Sequence, residues 1–292
     1  MSEEDEARDG AGAPPDARAP LGRDFMPRLA SGVAMGAVAA LCIFSGTVPF
    51  AVLVVAVTVL LSWEWARLVH GHEADLVVAV HVGAAGAAAV LAAWGVAALG
   101  LLAVLIGAIL AMLLSLGRNS LYSAFGVFYA GLPAIALIWL RSDPDPALGL
   151  LAVVFLIVVV IASDTGGFLA GRLLGGPKLW PRISPNKTWA GFVGALVASS
   201  IVGALFWIAV PDGSAIRLAA AGAVLSFVAQ AGDMAESALK RRFGAKDTST
   251  LIPGHGGVMD RVDGLVAAAT AVGLASFVIN VHSPAHALLL GP

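Results

Sequence analysis

The sequence predicts an all-α, polytopic integral membrane protein of about nine transmembrane helices with a cytoplasmic N-terminus. Three observations carry this. Of 292 residues, 59% are hydrophobic and only 12% charged, with a mean hydropathy of +0.90, whereas soluble domains carry about 25% charged residues. The apolar residues come in long runs, each close to the roughly 20 residues that cross a bilayer as a helix. The basic residues fall between alternate runs, with only Arg141 and Arg217 on the other side, which is the bias expected of cytoplasmic loops.

Residues 1–24 are rich in charge, Pro, Gly and Ala and poor in large apolar side chains. They cannot bury enough surface to offset ordering entropy, so a disordered cytoplasmic tail is expected there, and no signal peptide. A single transmembrane domain is expected over 25–292. Its spans are read at 29–45, 48–63, 76–93, 95–116, 121–140, 147–163, 189–210, 215–232 and 262–281. Trp94-Gly95 carries the break between the third and fourth. The 34 glycines suit close helix packing in a bilayer. The single cysteine, Cys42, excludes an internal disulfide framework and a multi-Cys zinc site. A net charge of −2 leaves no basic field for nucleic acid.

Polar residues are sparse in the first half. Glu64, near Trp63 and Trp65 at the end of the second span, is expected to pair with Arg67 at i,i+3. His70, His72, Glu73 and Asp75 read as a solvated turn, and His81 as bonded to a neighbouring helix. The second half holds three polar blocks. Ser163-Asp164-Thr165-Gly166-Gly167 is expected to end the sixth span, and Asp164, a carboxylate beside hydrocarbon, marks a function or a buried partner. Residues 175–189 form a turn-rich loop with Lys178, Arg182 and Lys187, feeding a helix start suited to phosphate. Beyond it, Asp233, Glu236, Ser237 and Lys240 fall at i, i+3, i+4 and i+7, on one helix face. Lys246-Asp247, a Gly-rich turn at His255-Gly256-Gly257, and Asp260-Arg261-Val262-Asp263 follow. Hard carboxylate oxygens without a His/Cys set suit Mg²⁺, which takes one or two carboxylates plus substrate phosphates.

The stretch SALKRRFGAKDTSTLIPGHGGVMDRVD, Ser237 to Asp263, resembles the signature of the phosphatidate cytidylyltransferases, or CDP-diacylglycerol synthases. It has the Ser, the Lys-Arg and Lys-Asp pairs, the His-Gly-Gly and the Asp-Arg-x-Asp at the family spacing. SDTGGFLAGRLLGGPKLWPRISPNKTW, Ser163 to Trp189, resembles a second family region. The signature region thus lies at 163–189 and 232–264. The family often has Lys, Glu and Ser where this chain has Asn186, Ala190 and Gly264.

The resemblance implies transfer of the cytidylyl group of CTP to phosphatidate, giving CDP-diacylglycerol and pyrophosphate. The implied setting is the inner cell membrane with the site facing the cytoplasm, and the implied partners are CTP, phosphatidate and the bilayer. A homodimer is compatible with it. Mg²⁺ is the implied cofactor, with room for a second cation. Asp233 and Asp260 are the leading metal ligands, joined by Asp263 and Glu236. Asp233, Ser237, Lys240, Asp260 and Lys187 form the catalytic set. Ser184, Lys187, Lys240, Arg241, Lys246, Asp247, His255, Gly256, Gly257 and Arg261 are candidates for substrate contact, and Asp164 for orienting a cation or a polar helix junction. The rival readings are another CTP-dependent lipid enzyme, such as a polyprenol kinase, and an ion-coupled transporter. The nearly uncharged first five spans disfavour the transporter.

Overall fold

The computed structural model describes residues 25–71, 75–210, 212–252 and 256–291. The expected tail at 1–24 lies outside the described residues. Ten helices follow in order: α1 Phe25–Phe44, α2 Thr47–His70, α3 Leu76–Ala93, α4 Ala97–Leu114, α5 Ser120–Arg141, α6 Pro146–Leu174, α7 Trp189–Leu205, α8 Ala215–Arg242, α9 Met259–Ile279 and α10 Pro284–Leu289. An antiparallel hairpin of β1 Lys178–Trp180 and β2 Ser184–Thr188 separates α6 from α7. Helices α2 to α9 are eight that are long and apolar enough to cross a membrane. The apolar part of α1, Ala30–Phe44, is shorter. With it, the helices fit the expected polytopic, all-α class.

Three helices overrun the apolar runs that signalled them. α2 continues to His70, α6 to Leu174 and α8 to Arg242. Hydropathy marks where the apolar run ends, but a helix stops only where a breaker or a cap stops it. Ser163–Gly167 therefore lies within α6 and does not end it, and the helix stops at Gly175, whose φ is +62°. The turn-rich loop after it holds a hairpin.

The core is built around α6, which packs on α5, α7, α8, α9 and α10. Its Val153, Phe155, Leu156 and Val159 are fully buried. Small residues let helices close on one another, as expected where dispersion and not hydrophobic collapse drives packing. A Cβ at Gly191 of α7 would stand 2.8 Å from the Gly167 carbonyl of α6. A Cβ at Gly232 of α8 would overlap Ala267 of α9. Both contacts set the spacing of the helices that carry the polar residues.

The connections sort to two ends. At one end Asp143, in the α5–α6 turn, accepts from Ser283 Oγ at 2.8 Å and Ala285 N at 2.9 Å, fixing α10. At the other end lie the end of α2, the start of α3, the α4–α5 turn, the hairpin and the α8–α9 loop. Among the described residues, this second end gathers every Lys and Arg whose side chain is placed except Arg141 and Arg217.

Candidate functional site

The polar stripe predicted on α8 faces α9 at the basic end of the bundle. Because Gly232 admits Ala267, the two helices approach closely enough for their acids to meet. Ligand oxygens of Asp233, Glu236 and Asp263 all lie within 4.8 Å of one another. Lys240, one turn beyond Glu236, sits between two carboxylates: Nζ is 3.1 Å from Glu236 Oε1 and 2.6 Å from Asp260 Oδ1. Ser237 Oγ donates to Asp233 Oδ1 at 3.4 Å. From the hairpin, Lys187 Nζ reaches Asp233 Oδ2 at 2.5 Å. Exposure grades across the group. The side chains of Glu236 and Asp260 are 1% and 7% exposed, those of Lys187 and Asp233 26% and 32%. The site is therefore open at the Asp233–Lys187 edge.

That edge lines a cleft of about 550 Å³ between α6, the hairpin, α7 and α8. Asp164 of α6, Asn186 and Lys187 of β2, and Gln230 and Asp233 of α8 all face it. The hairpin is tied down at its base, where Thr188 caps α7 by accepting from Gly191 N at 3.1 Å. The glycines of the Asp164 block pack against α7, while Asp164 presents the block's carboxylate to the cleft beside Ser163 and Gly167.

Asp260 is differently placed. Its Oδ1 holds Lys240, and its Oδ2 accepts from Thr248 N at 3.0 Å, Thr248 Oγ1 at 2.9 Å and Gly257 N at 2.8 Å. Both oxygens are thus engaged, Oδ1 with Lys240 of α8 and Oδ2 in pinning the α8–α9 loop, and Asp263, not Asp260, is grouped with Asp233. Glu64 does the same work from α2. It accepts from Ser249 Oγ at 2.6 Å, Met259 N at 2.7 Å, Val258 N at 2.9 Å and Thr248 Oγ1 at 3.3 Å. A fully buried carboxylate capping the start of α9 from another helix satisfies orphan backbone donors and the positive dipole end together. This corrects the expected Glu64–Arg67 pairing: four donors converge on Glu64, while Arg67 lies over the Trp63 ring at 5.3 Å. Glu64 is the residue that sequence reasoning missed. Its one signal was a carboxylate at the end of an apolar run.

The remaining candidates divide. Gly257 is buried beneath Glu64 and Thr248, and Gly256 adopts a φ of +78° beside Asp260. Ser184 opens β2, opposite Trp180, away from the cleft lining. Arg241 is exposed and donates to the Ala245 carbonyl at 3.4 Å. Lys246 and Asp247 are exposed on the loop, and Arg261 is exposed on the flank of α9 facing α1 and α2. His255 lies outside the described residues. Of the first-half histidines, His81 bonds Ser123 Oγ of α5 at 3.1 Å, as expected, and His70 meets the same oxygen at 3.1 Å.

Three convergent carboxylates flanked by two lysines are a charge arrangement suited to phosphates bridged by a hard divalent cation. Comparison with known proteins agrees in kind. Residues 26–279 match the model of the cytidylyltransferase family. A protein of Brucella suis biovar 1 (strain 1330) named phosphatidate cytidylyltransferase is 51% identical over 150 residues, covering 51% of this chain and 54% of the relative. Proteins of the same name from Staphylococcus saprophyticus and Staphylococcus aureus (strain COL) are 41% and 37% identical over 146 residues, covering 50% of this chain and 54% of each relative. The match spans about half the length of these curated relatives.

Proposed function

The chain belongs to the cytidylyltransferase family, and from that premise we propose that it transfers the cytidylyl group of CTP to phosphatidate, releasing pyrophosphate. The observation that carries this is the convergence of Asp233, Glu236 and Asp263 within 4.8 Å, with Lys187 and Lys240 ion-paired to its edges. The donor set fits Mg²⁺: all ligands are carboxylate oxygens, and the open edge leaves room for phosphate and water. Asp233, Glu236 and Asp263 would hold the cation, and charge withdrawal from the phosphates is what it supplies when bound. A second cation would find Asp164 in the same cleft.

The chemistry asks little else of the protein. A phosphatidate oxygen attacks the α-phosphorus of CTP, a P–O bond forms, and the bond to the departing pyrophosphate breaks. The attacking monoester is largely dianionic at neutral pH, its second pKa being about 6, so no nucleophilic side chain is required. What is required is to bring anions together and align them. Lys187, whose Nζ pairs with Asp233 at the edge of the cleft, serves the incoming groups. Lys240, fixed between Glu236 and Asp260, offsets the buried acids. Asp260 and Glu64 hold the loop that carries Thr248 and Gly257 against the site. The basic end faces the cytoplasm in this reading, where CTP is found, and the membrane is the inner cell membrane.

The test follows the label. Purified protein given CTP labelled at the α-phosphorus, phosphatidate and Mg²⁺ should move label into lipid. CTP labelled at the γ-phosphorus should release it as pyrophosphate. Transfer of the γ-label to lipid, with phosphatidate or a polyprenol as acceptor, would make the protein a kinase.

A further inference from the structure

A second recess, of about 490 Å³, lies between α5 and α8 with Trp65 of α2 at its back. It shares no lining residue with the cleft of Lys187, yet it too reaches the acid cluster, through Glu236. Tyr129 lines it. The Tyr129 ring stacks on Trp65, centroids 4.7 Å apart, and Trp65 is itself fixed by donating Nε1–H to the Tyr122 carbonyl at 2.9 Å. Gly126 lies under the Trp65 ring, where a Cβ would overlap it. The Tyr129 hydroxyl is buried, and among the described residues it has no hydrogen-bond partner. A buried hydroxyl left unpaired is costly, and the ring that carries this one is packed against Trp65. Its partner is therefore to be sought in whatever occupies the recess.

The walls say what that is. Towards the basic end, the Tyr122 ring meets Phe243 edge-on at 5.3 Å, bridging α5 to the end of α8. Sideways, Leu121 and Phe125 are 75% and 57% exposed on the apolar surface of the bundle. Arg242, in the last turn of α8, stands at the mouth. An opening towards hydrocarbon, with a cation at its rim, suits a molecule with acyl chains and an anionic head. It does not suit a nucleotide arriving from water.

We propose that this recess admits the lipid substrate, a phosphomonoester of diacylglycerol, and that the Tyr129 hydroxyl donates a hydrogen bond to an oxygen of its headgroup. The two reactants then approach the acid cluster from different sides, the lipid past Glu236 and the nucleotide past Asp233. This rests on the phosphatidate reading of the function.

Phosphatidate bearing a diazirine in one acyl chain, photolysed on the full chain without CTP, should label peptides containing Leu121–Tyr129 and Ala235–Arg242. Unlabelled phosphatidate should suppress that labelling more strongly than phosphatidylcholine. Labelling centred instead on the apolar groove between α1, α2 and α9, lined by Met35, Phe50 and Arg261, or spread evenly along α4, overturns the proposal. Tyr129→Phe should raise the KM for phosphatidate about three- to tenfold, the usual effect of losing one hydrogen bond, with the KM for CTP and the thermal midpoint unchanged. An unchanged phosphatidate KM, or a rise in the CTP KM alone, overturns it as well. If the wild-type protein turns over no phosphatidate, the functional reading fails, while the labelling pattern, which needs no turnover, still decides the recess.

Discussion

Asp233 and Asp260 look equivalent in the sequence, each an acid followed at i+3 by another, but their surroundings divide their work. Asp233 is a third exposed and shares its neighbourhood with Glu236 and Asp263. Asp233→Asn and Asp263→Asn are each expected to lower turnover at least about 10²-fold, the scale of losing one charge-stabilising group. They should leave thermal stability near wild type, because they relieve like-charge crowding. Raised Mg²⁺ should partly restore either variant. Asp260→Asn should lower stability as well as turnover, since it releases Lys240 and three loop donors. Melting curves alongside activity separate the two classes. Glu64→Gln should cost about 2–4 kcal/mol, because an amide cannot accept from four donors as a carboxylate does. Asp75→Asn, which keeps the α3 cap now made to Val78 N at 2.8 Å, should leave turnover unchanged.

Among the elements, the hairpin and the α6–α7 pair are the most exposed to test. The hairpin is joined to α8 by the Lys187–Asp233 contact, beside its continuity with α7. Lys187→Met should remove that tie, and trypsin should then cut after Arg182 faster than in the wild-type protein. Equal digestion rates would mean that the strand pairing alone holds it. α6 and α7 meet through glycine. Gly191→Val would place side-chain atoms against the Gly167 carbonyl, already 2.8 Å from a bare Cβ. Overpacking of that kind costs about 1–3 kcal/mol, read as a lower melting temperature in detergent. The helix ends show why hydropathy located the elements but misjudged their lengths. α6 and α8 extend beyond their long apolar runs because no proline interrupts Asp164–Leu174 or Asp233–Arg242, and the acids there have a cleft and a partner helix to face.

At the scale of the whole molecule, eight helices, α2 to α9, are long and apolar enough to cross a membrane, and counting the shorter α1 as a ninth crossing predicts termini on opposite sides. A reporter fused after Pro292 should be extracytoplasmic, and a cytoplasmic signal would remove one crossing. The all-α, multi-span class was legible because a bilayer imposes a length and an apolar content on every crossing helix, and both are properties of contiguous residues. The face of α8 bearing Asp233, Glu236, Ser237 and Lys240 was legible for the same reason: helical periodicity is local. Which acids meet was not. Whether Asp233 shares its space with Asp260 or Asp263 depends on how closely α8 and α9 approach and on their rotation, set by Gly232 against Ala267. The role of Glu64 depends on a loop 184 residues away in the chain. Such contacts leave no periodicity in either segment. They are decided by packing, which alone brings distant carboxylates and donors to within hydrogen-bond distance.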